Sequence, residues 1–210
     1  MISQYCYNIV GAVNILPWIK RMLNKHNILN TIRSSLYFAS YFLLVIWCIE
    51  AINFVLGHSL NQYGIIPRDI NQIWHILSAP FIHGFPLHAV NNSIPLFVLL
   101  IFADFHGRKN VIICLIVIII FSGSMTWLVG RSGHHLGASS LIFGLWGYLI
   151  GMGFKQRDLK SIALATITVV LYGGLAYQLL QLQLHVSWEG HFFGALGGLL
   201  ASFALSVKNK

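Results

Sequence analysis

The chain has 210 residues, 57% of them hydrophobic and only 9% charged, with a mean hydropathy of +0.73. A soluble domain carries about a quarter charged residues, so this composition excludes a water-soluble globule and makes lipid the expected solvent. The formal net charge of +8 would point to nucleic acid in a soluble protein. Here the placement of the basic residues explains it, and no nucleic-acid partner is expected. Cys6, Cys48 and Cys114 are scattered with no CxxC spacing, so they read as small apolar residues rather than a disulfide framework.

The first residues lack a positive n-region and a cleavage site, and a removable signal peptide is not expected. No acidic residue precedes Glu50, whereas Lys20, Arg21, Lys25 and Arg33 do. Residues 1–35 therefore read as a basic cytosolic arm lying near anionic headgroups. A membrane domain follows over residues 36–207, and residues 208–210 form a short cytosolic C-terminus. Within that domain six apolar segments qualify as spans, at about 36–56, 88–103, 111–129, 139–154, 161–180 and 189–207. Short connections join the last five into one all-α bundle. The stretch 57–87 is too long for a turn and too apolar for a linker, and reads as a partly membrane-embedded loop between the first two helices.

Counting Lys and Arg gives the orientation. With the N-terminus inside, the inner segments hold Lys20, Arg21, Lys25, Arg33, Arg108, Lys109, Lys155, Arg157, Lys160, Lys208 and Lys210, while the outer loops hold only Arg68 and Arg131. That asymmetry follows the positive-inside rule and puts both termini in the cytosol. Short loops and the lack of tail domains fit a bacterial plasma membrane. In this topology the second, fourth and sixth helices all run inward, and their first turns carry His88 and Asn92, Ser139, and His191. Polar groups thus meet at one depth just inside the outer surface.

Ser139 follows a glycine-rich turn, Gly137-Ala138, into a helix. A serine at that position either caps the helix or gains from its N–H groups and dipole as charge develops. Gly147 and Gly151 lie on the face of Ser139, and Phe143 stands one turn along. His191 shares its face with Gly194 and Gly198, so two glycine-lined helices can approach until their backbones nearly touch. An intramembrane histidine is either a structural bridge or a functional group. His88 and Asn92, four apart, share one helical face and can both donate to an oxyanion; Asn92 alone could equally be interhelical glue, and His83 a loop support.

These elements resemble the rhomboid family of intramembrane serine proteases. That family's H-x4-H-x3-N pattern is matched by His83, His88 and Asn92, its G-x-S by Gly137 and Ser139, and its H-x2-G-x3-G by His191, Gly194 and Gly198. The resemblance implies a six-helix fold and a catalytic dyad, with Ser139 as nucleophile and His191 as general base. It also implies oxyanion stabilisation by the Ser139 backbone N–H, His88 and Asn92, and a supporting ring from Phe143 stacked on His191. His83, Gly137, Gly194 and Gly198 support the site. Two departures stand out: Ser140 replaces the family's glycine after the nucleophile, and Phe143 lacks the hydroxyl of the family's frequent tyrosine.

The implied substrates are transmembrane segments of other proteins in the same bilayer, cut near the outer face through an acyl-enzyme. No cofactor is expected. A zinc site of His83, His88 and His191 is disfavoured because no carboxylate or thiol ligand accompanies them on that side. A rhomboid-like protein that binds membrane clients without cutting is the alternative, and Ser140 is its support. A proton-coupled transporter is disfavoured, since intramembrane carboxylate relays and an inverted repeat are lacking.

Overall fold

The structure, a computed structural model, describes residues 25–180 and 187–205. Lys20, Arg21, His185 and the end of the sixth expected span lie outside the described residues. The chain divides into two units, Met1–Ser34 and Ser35–Lys210, and the helical bundle belongs to the second. Among the described residues the fold is all-helical, with one isolated antiparallel bridge between Ile65 and His135. The helices are α1 (Lys25–Val55), the short α2 (His75–Ser78), α3 (Pro86–Asp104), α4 (Arg108–Val129), α5 (Ser139–Gln156), α6 (Leu159–Tyr172), α7 (Gly174–Leu180) and α8 (Trp188–Ala204).

Among the described residues three stretches are long and apolar enough to cross a membrane: Ile28–Val55, Pro86–Asp104 and Arg108–Val129. The central helix is a different one. On α5 the residues Leu141, Phe143, Leu145, Tyr148, Leu149 and Met152 are all buried, and α8 packs along it. Helices surrounded by protein do not need a lipid-compatible surface, so α5 can carry Gly144, Gly147, Gly151 and Gly153, which lower its hydropathy but let neighbours approach.

The expected fifth segment is divided. Gly173 separates α6 from α7, which opens on Gly174; glycine is the weakest helix former after proline. The expected second segment begins two residues early, at Pro86 in the first helical turn, where a missing N–H costs nothing. The stretch between α1 and α3 is built of short 3-10 turns and α2, held by its own polar groups and by Trp127 of α4. His75 Nδ1 lies 2.9 Å from the Gly64 carbonyl, Ser78 Oγ donates to the Tyr63 carbonyl, and Trp127 Nε1 donates to the Asp69 carbonyl. Its outer side is apolar and exposed, with Ile70, Ile73, Trp74 and Leu77.

The end of the bundle opposite Ser139 is fastened by charge. Asp104 accepts from Arg108 at 2.7 and 2.6 Å and from Ser35 Oγ at 2.6 Å. Lys155 donates to the carbonyls of Ser202, Phe203 and Leu205, capping the end of α8 with a cation. His106, in the turn between α3 and α4, is buried, with its Nε2 3.1 Å from Ser161 Oγ. Burial first, and then the Lys160 ammonium against the pull of Asp158, lowers its pKa from 6.5 to about 4. His106 is thus neutral when folded and protonates near its ordinary pKa when unfolded. The unfolded chain binds the extra proton between these values, so stability is complete above about pH 6.5 and declines as pH falls toward 4, by about 1.4 kcal/mol per unit at most. His83, also lowered to about 4 mainly by burial, adds a slope of the same sign. Thermal unfolding in detergent from pH 7.5 to 4.5 is expected to show this decline, with a shallower slope for His106→Gln.

Candidate functional site

The turn before α5 is fixed by a residue that must be glycine. Gly137 has φ +111°, and a Cβ there would stand 2.8 Å from His88 Nε2 and 3.6 Å from Asn92 Nδ2. Its N–H donates to the Ala79 carbonyl at 2.9 Å. The turn delivers Ser139 to the first position of α5, where the leading N–H groups have no intrahelical acceptor.

A chain of polar contacts braces Asn92 behind this turn. The Ala138 N–H donates to His83 Nε2 at 3.3 Å, and Asn92 Nδ2 lies 3.1 Å from the same nitrogen. A backbone N–H can only donate, so His83 Nε2 is the acceptor and the ring proton sits on Nδ1. One N–H of the Asn92 amide is thereby committed to His83, which fixes the direction of the other. His83 is held in turn by Asn53, whose Nδ2 donates to the His83 carbonyl at 3.0 Å and to Asn61 Oδ1 at 3.0 Å. Asn53 is fully buried on α1. Sequence reasoning passed it over, although an asparagine inside an apolar span was the available signal.

His191 reaches the site because α5 and α8 cross on glycine. A side chain at Gly194 would collide with the Ser140 carbonyl, one at Gly198 with the Gly144 carbonyl, and one at Gly147 with the Ala195 carbonyl. This approach stacks His191 on Phe143, ring centroids 4.2 Å apart and planes 14° apart. His191 Nδ1 is buried and without a hydrogen-bond partner among the described residues. The nearby acid, Glu189, is turned away onto Arg131, with Oε1 2.8 Å from Nε.

Ser139, His191, His88, Asn92 and Phe143 line a single cavity of about 500 Å³. Leu175 and Gln178 of α7, together with His134 and Ser187, complete much of its wall. His83 stands behind the cavity rather than in it, Gly137 forms the turn, and Gly194 and Gly198 make the crossing. Among the described residues no hydrogen bond joins Ser139 to His191; in unliganded sites such bonds commonly tighten only once substrate is bound. Ser140 lines a second, neighbouring cavity of about 30 Å³ with Ser122 and Thr126, and Ser139 and Ser187 line both cavities. Ser140, the departure from the family pattern, does not line the large cavity.

Residues 70–208 match the rhomboid domain family. An uncharacterized protein of Mycobacterium tuberculosis is 32% identical over 178 residues, covering 80% of this chain and 74% of its own length. Uncharacterized proteins of Mycobacterium bovis and Mycobacterium leprae match at the same identity, with 74% and 70% of their lengths covered. The match takes in α3 to α8, and with them the cavity and every group that lines it, so this chain belongs to the rhomboid family.

Proposed function

We propose that this protein is an intramembrane serine endopeptidase that cuts transmembrane segments of other membrane proteins near the outer face. The observation that carries the reading is the convergence of Ser139, His88, Asn92 and His191, stacked on Phe143, in one cavity. In the proposed mechanism His191 takes the Ser139 proton as Oγ attacks the scissile carbonyl, and returns it to the leaving amine. Because Nδ1 is buried, Nε2 is the nitrogen that accepts the serine proton, and the neutral ring holds its own proton on Nδ1. The tetrahedral oxyanion rests on the Ser139 N–H, His88 and the free N–H of Asn92. Water entering the cavity then hydrolyses the acyl-enzyme, with His191 again the base.

The membrane frame of the proposal has six spans: α1, α3, α4, α5, α6 with α7, and α8. Both termini lie in the cytosol of a bacterial cell, and residues 1–35 form the inner arm. The exposed Ile70, Ile73, Trp74 and Leu77 support partial immersion of the loop between α1 and α3. The client-binding alternative has less support, since Ser140 does not line the large cavity.

The test is cleavage of a model transmembrane substrate by detergent-purified protein, with fluorophosphonate labelling located by mass spectrometry. Cleavage together with label on Ser139 is the expected result. Neither activity, across several substrates and probes, would move the reading to client binding. Asn92→Ala is expected to lower kcat by about 10²–10³ with little change in KM, the loss typical of one oxyanion donor. Asn92→Ala turnover equal to that of the unmodified protein would remove Asn92 from the oxyanion site.

A further inference from the structure

Two links join the segment leading into α5 to the first turn of α8, and the dyad chemistry requires neither. In the first, Glu189 is almost fully buried and accepts from Arg131 three times, from Nε at 2.8 Å, the backbone N–H at 3.1 Å and Nη2 at 3.3 Å. In the second, His135 Nε2 lies 2.8 Å from the Arg131 carbonyl and Nδ1 lies 2.6 Å from Ser187 Oγ. A carbonyl only accepts, so Nε2 carries the ring proton and Nδ1 accepts from the Ser187 hydroxyl. Ser187 Oγ in turn caps α8 by accepting from the Gly190 N–H.

The two links run in opposite directions along the chain, Arg131 to Glu189 and His135 to Ser187, so together they resist both sliding and rotation. The same segment is anchored on its other side. Ile65 and His135 exchange backbone hydrogen bonds of 2.8 and 2.9 Å, and Arg68 Nη1 donates to the Gly130 carbonyl at 2.9 Å. Ser139 lies four residues beyond His135, and His191 two residues beyond Glu189. Glu189 is buried while the Arg131 side chain is 37% exposed; an ion pair whose carboxylate is buried is a poor source of stability compared with apolar packing, and geometric specification is its better-attested use. Glu189 does not line the large cavity, so it does not touch the reacting atoms.

We propose that Arg131–Glu189 and His135–Ser187 form a two-point clamp that fixes the approach of His191 to Ser139. Glu189 and His135 are then positioning residues. The inference rests on the protease reading above, and its test separates the two. The full chain in detergent is compared with Glu189→Gln, Glu189→Asp and His135→Gln by kcat, KM, melting temperature and the rate of fluorophosphonate labelling at Ser139. Glutamine at 189 keeps the shape and drops the charge. It is expected to lower kcat and the labelling rate together by about 10–100-fold at unchanged KM, the loss that a misplacement of up to about 1 Å brings. Glu189→Asp keeps the charge and recovers most of the labelling rate.

Labelling and kcat within twofold of the unmodified protein in a folded Glu189→Gln overturn the clamp and leave the protease reading intact. A raised KM with unchanged labelling overturns it equally, since the pair would then serve substrate binding. Should Glu189→Gln fail to fold, His135→Gln decides by the same criteria. An unmodified protein that never labels at Ser139 overturns the protease reading, and the clamp with it.

Discussion

Alanine at Ser139, alanine at His191, and both together are expected to slow cleavage by nearly the same factor, on the order of 10⁴–10⁶. The equality follows from the proposed roles. A hydroxyl is a weak nucleophile until a base removes its proton, and an imidazole in this cavity has no other proton to take. Removing either group therefore removes the one step they share. The cavity that both groups line, and the oxyanion donors beside it, are untouched by either change, so a small residual rate above water remains. Single-turnover cleavage of a reconstituted transmembrane substrate reads the three variants on one scale. Losses that multiply in the double variant would show two independent contributions and sink the dyad. Cleavage that survives Ser139→Ala would place the nucleophile elsewhere, with the adjacent Ser140 the first position to examine.

The parts of this site that were legible in the sequence are those set by spacing along one helix. His88 and Asn92 share a face because they are four apart, and His191, Gly194 and Gly198 share another for the same reason. Those faces meet in the fold, and the glycines permit the crossing. What spacing could not show is which polar group answers which across the bundle. The contact between Asn53 and the His83 carbonyl spans 30 residues, and that between Arg131 and Glu189 spans 58. Both partners of each pair sit in contexts that read separately as span or loop. Hydropathy also favours helices that face lipid, and so it ranks α4 above α5, whose surroundings are largely protein. The division of the fifth segment at Gly173 and Gly174 was marked in the sequence by two adjacent glycines, but its consequence, Leu175 and Gln178 on the cavity wall, depends on tertiary packing.

Gly198→Val is expected to abolish cleavage and to destabilise the bundle by about 3 kcal/mol, the upper end of overpacking costs. Most crowded core positions relieve strain by turning a neighbouring side chain. This one cannot, because the atoms in the way are the carbonyl and Cα of Gly144, the latter 2.9 Å from where a Cβ would stand. One helix must move away from the other. His191 lies seven residues back on the same face of α8, and Ser139 lies five residues before Gly144 on α5, so that movement widens the gap between the two reacting groups directly. A separation of about 1 Å is enough to cost 10²-fold in rate even where the fold survives. Leu200, exposed on α8, provides the control: Leu200→Val lies off the glycine crossing and should melt and cleave as the unmodified protein does. Tryptophan fluorescence during heating in detergent follows the bundle, and substrate cleavage follows the site. A Gly198→Val protein with unchanged melting and full cleavage would mean that α5 and α8 do not need their glycine contact, and the account of how His191 reaches Ser139 would fail with it.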